Sequence, residues 1–161
     1  MKGRWVLDTS PLLFLAKIDR LQVLRAAADE LLVSPAVWEE IQARDDDATE
    51  FVRGAINEGW LELSAPDRPT ELVFQLGTGE SEAIALARER RADRVVMDDL
   101  RARRVARQVG LLPIGTLGIL LAARLRGEIP SLRAEIQKLQ TAGFRASPAL
   151  VEAVLRSAED L

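Results

Sequence analysis

The sequence predicts an α/β protein built on a mostly parallel sheet with helices on both faces. Two observations carry this. Four apolar runs of strand length, Trp5-Val6-Leu7, Leu31-Leu32-Val33, Arg94-Val95-Val96-Met97 and Leu111-Leu112-Pro113-Ile114, recur along the chain, with helical stretches in each of the three intervals between them. Such alternation of strands and helices is the pattern of βαβ units. Within each run apolar residues dominate without a polar alternation, as expected of strands buried on both faces.

The first strand ends at Asp8, where Thr9 or Ser10 is placed to cap a helix with Pro11 in its first turn. Helical spacing then covers Leu12 to Ile18 and Leu21 to Ala28. After the second strand, Ser34-Pro35 opens a helix that runs through Val37 to Ala43. At about 100° per residue, Glu40 falls between Val37 and Ile41 on the inward face and is expected to be semi-buried, whereas Glu39 points away. Asp45-Asp46-Asp47 lies between two helices, so it reads as solvated charge, with Asp47 capping the helix Ala48 to Asn57. Gly59 ends that helix, Trp60 to Leu63 alternates as a short edge strand, and Ala65 to Pro69 is a loop.

Gly77-Thr78-Gly79 leads into a helix over Glu80 to Arg91, in which Glu80, Ala83, Ile84 and Ala87 share one face. Glu80 thus heads a buried stripe from the first turn, and Glu82 lies nearer its edge. The fourth strand ends in Asp98-Asp99 and is followed by an Arg-rich helix over Leu100 to Val109. After the last core strand, Gly115-Thr116 opens a helix over Leu117 to Arg126, a turn able to present N–H groups to a phosphate. Ser131 to Leu161 reads as two amphipathic helices. The expected organisation is one domain over 1–161, with a core to about residue 128 and a helical extension beyond it.

Composition narrows the chemistry. The 161 residues include no cysteine and no histidine, which excludes thiol nucleophiles, zinc knuckles, Ser-His-Asp catalysis and imidazole ligands. Carboxylates, hydroxyls, Lys and Arg remain. The net charge of −3 is not that of a globally basic nucleic-acid binder. With neither a signal-peptide pattern nor an apolar run approaching membrane-spanning length, the expectation is a cytoplasmic protein with no membrane partner.

Asp8, Glu40, Glu80 and the pair Asp98/Asp99 all sit where a parallel sheet brings strand ends and helix starts together, the place where ligands bind in such folds. Taken singly, Asp8 is more simply a turn or capping residue. Taken together, several close carboxylates repel, and a hard divalent cation resolves the repulsion because Mg²⁺ or Mn²⁺ prefers oxygen ligands. Such an ion activates water and stabilises charge developing on a phosphodiester.

The segments D-T-S-P-L, V-W-E-E-I, G-E-S-E-A-I-A-L-A and V-V-M-D-D-L-R-A-R, in this order, resemble the PIN-domain nucleases (the VapC-like toxin ribonuclease superfamily). A prokaryotic branch with G-E-x-E-A-I-x-L-A and D-D-x-x-A-R motifs is most similar. G-T-L-G-I-L-L-A-A and G-F-R-A-S-P-A-L extend the resemblance over nearly the whole chain. The resemblance implies a five-stranded parallel α/β/α sandwich and Mg²⁺- or Mn²⁺-dependent cleavage of RNA. It also implies a toxin of a toxin–antitoxin pair, with a small inhibitory partner protein and a homodimeric state. Carried over, Asp8 is the first metal-binding acid, Glu40 the second, Glu80 the third with Glu82 its rival, and Asp99 the fourth with Asp98 close behind. Ser10 supports Asp8 or a metal-bound water, with Thr116 as a further supporting residue.

Arg101, Arg103, Arg104 and Arg107 are the candidates for RNA phosphate contacts, because an acidic pocket needs positive charge at its rim. A solvated helix face is the plainer account of any one of them. With no Tyr and 4% aromatics, base stacking is limited. Two other functions compete with a ribonuclease. One is a catalytically weak or inactive PIN-fold protein that binds or regulates, and the other is a nuclease or phosphatase acting on another phosphoester.

Overall fold

The computed structural model describes residues 2–71 and 75–159 of the chain. Five parallel strands, β1 (Arg4–Leu7), β2 (Glu30–Val33), β3 (Glu62–Leu63), β4 (Arg94–Val96) and β5 (Pro113–Ile114), lie in the order β3-β2-β1-β4-β5. Between them run α1 (Thr9–Lys17), α2 (Val23–Ala27), α3 (Pro35–Arg44), α4 (Asp47–Glu58), α5 (Thr78–Glu89) and α6 (Leu100–Gln108). The chain ends in α7 (Thr116–Leu125), α8 (Leu132–Thr141) and α9 (Pro148–Glu159). This is the expected three-layer α/β/α architecture.

Strand order dictates the layers. From β1 the chain steps outward to β2 and β3, then returns past β1 to form β4 and β5. Right-handed crossovers therefore place α1 to α4 over one face and α5 and α6 over the other. The packing agrees for α5, which lies on β1 and β4, for α6 on β5 and for α1 on α4, whereas α3 packs on α5 as well as on α1 and so joins the two helical layers. The direction of winding reverses between β1 and β4, which pair in register Val6 to Val95 and Leu7 to Val96. A crevice opens beyond the carboxyl ends of two strands at such a reversal.

Burial explains why the central strands were readable. Val6, Leu7, Val33, Val95, Val96 and Met97 are fully buried. On the helical side, Leu12, Leu15, Leu24, Ile41, Leu86 and Leu120 complete the core, and Ile136 and Leu139 of α8 join the same cluster. Each fully buried aliphatic side chain contributes on the order of 2 kcal/mol. Among the described residues no helix is long and apolar enough to cross a membrane.

Several local expectations are corrected. The strand expected over Leu111 to Ile114 is paired only at Pro113–Ile114, and the one over Trp60 to Leu63 only at Glu62–Leu63. Asp46, not Asp47, caps α4: its carboxylate accepts the Thr49 amide at 3.1 Å, and Thr49 Oγ1 accepts the Asp46 amide at 3.3 Å. That reciprocal pairing needs a side chain at the position three residues before its partner, which only Asp46 occupies. Helix α1 begins at Thr9, so Thr9 and Ser10 lie inside its first turn instead of capping it, and Asp8 takes the preceding extended position. The second C-terminal helix is described as far as Glu159; its expected last two residues lie outside the described residues.

Candidate active site

Asp8 stands at the centre. Its amide donates to Val96 O at 2.8 Å, continuing the β1–β4 ladder one residue past the strand. The extended backbone there turns the side chain into the crevice, where the residue is only 4% exposed. Although Asp8 occupies the capping position of α1, its side chain caps nothing, and Oδ1 is buried without a hydrogen-bond partner. A buried polar atom left this way costs on the order of 1–3 kcal/mol. Burial pushes the Asp8 carboxyl up to about 7; the Thr9 backbone amide opposes this, and the charges of Glu80, Glu40 and Asp98 add to it. Four acids thus act on one another at this end of the sheet.

Asp98 follows β4 and is held on three sides. Oδ1 accepts the Thr116 amide at 2.8 Å, and Oδ2 accepts Thr116 Oγ1 at 2.8 Å and Ser10 Oγ at 2.9 Å. Thr116 is fully buried at the start of α7. The Thr116 N–H is therefore spent on a carboxylate, which corrects the expectation that this turn presents it to a phosphate: Asp98 is the nearer anion. Asp99 is exposed, and its Oδ1 accepts the Ala102 amide at 3.0 Å as the cap of α6. Consecutive residues in extended backbone project in opposite directions, so Asp98 and Asp99 have different partners.

Glu40 is exposed, not semi-buried as its helical position suggests. Helical phase fixes where its Cβ points but not where a long flexible side chain ends. Here the carboxylate crosses to the start of α5, accepting Thr9 Oγ1 at 2.5 Å and the Gly79 amide at 3.1 Å. Glu80, in the first turn of α5, is half-buried and accepts the Gly77 amide at 3.1 Å. Desolvation raises its pKa first, the Gly77 amide lowers it, and the charges of Asp99 and Glu40 raise it further. Glu82 points elsewhere: its Oε1 accepts the Ala36 amide at 2.9 Å, satisfying a free N–H in the first turn of α3.

Arg101, Arg104 and Arg107 are exposed along α6, whereas Arg103 is half-buried and reaches Gly115 beside Asp98. Burial first, then the neighbouring Arg107, draws Arg103 below its ordinary range, with Asp98 acting against both. It remains a cation at any working pH. Thr9 and Gly79 are parts of the site that the sequence did not single out, and Gly115 was expected only as part of a phosphate-facing turn. Gly79 carried a signal, since it directly precedes Glu80 in the first turn of α5.

Among the described residues, no three of these carboxylates form a ready ligand set for one ion. Each is instead tied back by hydroxyl or amide donors, Asp8 Oδ1 excepted. An Mg²⁺-like ion requires only one or two carboxylates and keeps several waters. The unpartnered oxygen of Asp8, among acids that raise its proton affinity, fits such an ion.

A family model described as a PIN domain matches residues 4–160. The chain belongs to the PIN-domain family. PIN domains are generally nucleases, typically metal-dependent with Mg²⁺ or Mn²⁺, and their substrates are nucleic acids. No curated protein matches the chain.

Proposed function

We propose that this PIN domain is a Mg²⁺- or Mn²⁺-dependent endoribonuclease. The observation that carries this reading is the buried, unpartnered Oδ1 of Asp8 at the strand reversal. In this reading Asp8 and Asp98 hold the ion, Asp98 being oriented by Ser10 and Thr116. Such outer partners fix a ligand's direction and tune its charge. Glu40 and Glu80 line the approach and take water-mediated places around the ion. Asp99 is assigned to the start of α6 and Glu82 to the start of α3. When bound, the ion polarises the phosphodiester and makes its water a better nucleophile.

RNA is preferred over other phosphoesters on the strength of the motif resemblance. The same resemblance supports a toxin role with a small inhibitory protein partner and a homodimer, and its RNA substrate would be met in the cytoplasm. The hydroxyl and amide donors that already hold Asp98, Glu40 and Glu80 favour the competing reading, a weakly active PIN-fold binding protein.

Calorimetric Mn²⁺ titration of the wild type and Asp8→Asn, alongside cleavage of a mixed RNA pool, tests the proposal. Binding and cleavage that both vanish in the variant are expected. Wild-type protein that binds no Mn²⁺ would make the non-catalytic reading the better one.

A further inference from the structure

The side chain of Arg103 is set apart from the other arginines of α6 by what surrounds it. A β-carbon on Gly115 would stand 2.8 Å from Arg103 Nη1 and 3.1 Å from Asp98 Oδ1. The guanidinium and the carboxylate therefore flank the one residue that has no side chain to interpose. They do not pair. Both oxygens of Asp98 are already engaged by Thr116 and Ser10. Among the described residues the Arg103 side chain has no hydrogen bond or ion pair. A half-buried guanidinium with five N–H donors and no protein acceptor has its whole fork free for a ligand. The chemistry that matches a planar fork beside an acid-held ion is the pair of non-bridging oxygens of a phosphate diester.

We propose that Arg103 is a catalytic residue that grips the non-bridging oxygens of the scissile phosphodiester, and that Gly115 is a glycine because this guanidinium needs its space. The inference rests on the nuclease reading above. In the hydrolysis, a water oxygen bonds to phosphorus as the bond from phosphorus to the leaving ribose oxygen breaks. One water proton ends on the leaving oxygen and the other stays with the new phosphate monoester; Arg103 gives up none. Negative charge on the gripped oxygens grows as water attacks, so the contact strengthens toward the transition state and acts on kcat. The exposed Arg101, Arg104 and Arg107 meet flanking phosphates and act on affinity.

The test measures kcat and KM on a short single-stranded RNA with Mn²⁺ for wild type, Arg103→Met, Arg103→Lys and Arg103→Ala, with RNA affinity read separately in EDTA. Arg103→Met should lose about 100-fold in kcat, with a smaller change in KM. Lysine, a point charge without the fork, should recover only part of it. Added guanidinium ion should restore activity to Arg103→Ala, a response that a packing role would not give. An unchanged kcat with only a raised KM in Arg103→Met overturns the proposal while leaving the nuclease reading intact. Wild-type protein that neither binds nor cleaves RNA overturns both.

Discussion

The Gly79 amide donates to Glu40 at 3.1 Å, and the same carboxylate fills the space that a side chain on Gly79 would occupy. Helix α3 is thereby keyed into the first turn of α5, and an acid of the site is fixed by a residue with no side chain. The space is closed by the end of a flexible side chain, so Gly79→Ala can be accommodated if Glu40 swings away. Loss of the hydrogen bond, worth about 1 kcal/mol, is then offset by a gain of similar size in helix propensity. Thermal unfolding should change little, while Mn²⁺ affinity measured by calorimetry should fall about 10-fold or more. Equal metal affinity in the variant would show that the position of Glu40 does not matter.

Asp8 makes the ion-free protein sensitive to pH in a direction opposite to most paired carboxylates. Its folded pKa of about 7 lies above the ordinary 3.8, so between these values the folded state holds more protons than the unfolded one. Stability therefore falls as pH rises through that window and levels off above it. The loss is on the order of 4 kcal/mol by linkage. Glu80 shifts in the same direction and adds to the trend. Denaturant unfolding in EDTA should show Asp8→Asn gaining on wild type between about pH 4 and 7, as linkage requires. Parallel curves would mean that Asp8 is solvated.

Glu80 and Glu82 should separate cleanly. Glu82→Gln weakens the bond to the Ala36 amide and should cost up to about 1 kcal/mol of stability, with metal binding kept. Glu80→Gln should leave stability equal or higher and reduce cleavage. Unfolding and RNA cleavage measured on both variants decide it, and the reverse pattern would exchange their roles.

The three exposed arginines of α6 should act through charge alone. Arg104→Ala combined with Arg107→Ala should weaken RNA binding and flatten its dependence on salt by about 0.7 for each phosphate no longer neutralised. Fluorescence titration at several salt concentrations provides the slope. An unaltered slope would leave them as solvated surface.

The sequence showed the strands because burial on both faces leaves little choice of residue, as at Val6, Leu7, Val95 and Val96. Asp8 was legible for a related reason: an acid directly after such a run has a known position in the sheet. The division of work within Asp98/Asp99 and Glu80/Glu82 was not. It depends on donors far away in the chain, such as Ala36 for Glu82 and Thr116 for Asp98. Periodicity reports the direction of a Cβ, which sufficed for Ile41 but not for Glu40, whose carboxylate lies several bonds further out. Strand length at the sheet margins was also overestimated, because an apolar run does not reveal how much of it finds a neighbour.

Those short outer strands bear on how other proteins can attach. On one margin β3 is two residues long and begins with Glu62; on the other, β5 begins with Pro113, which has no N–H to give. A strand from another chain would find too few open ladder positions to extend the sheet on either side. Among the described residues an inhibitor or second copy therefore finds helix and loop surfaces better suited to it than the sheet margins, and peptides that bind by strand addition are a poor library in which to look for one.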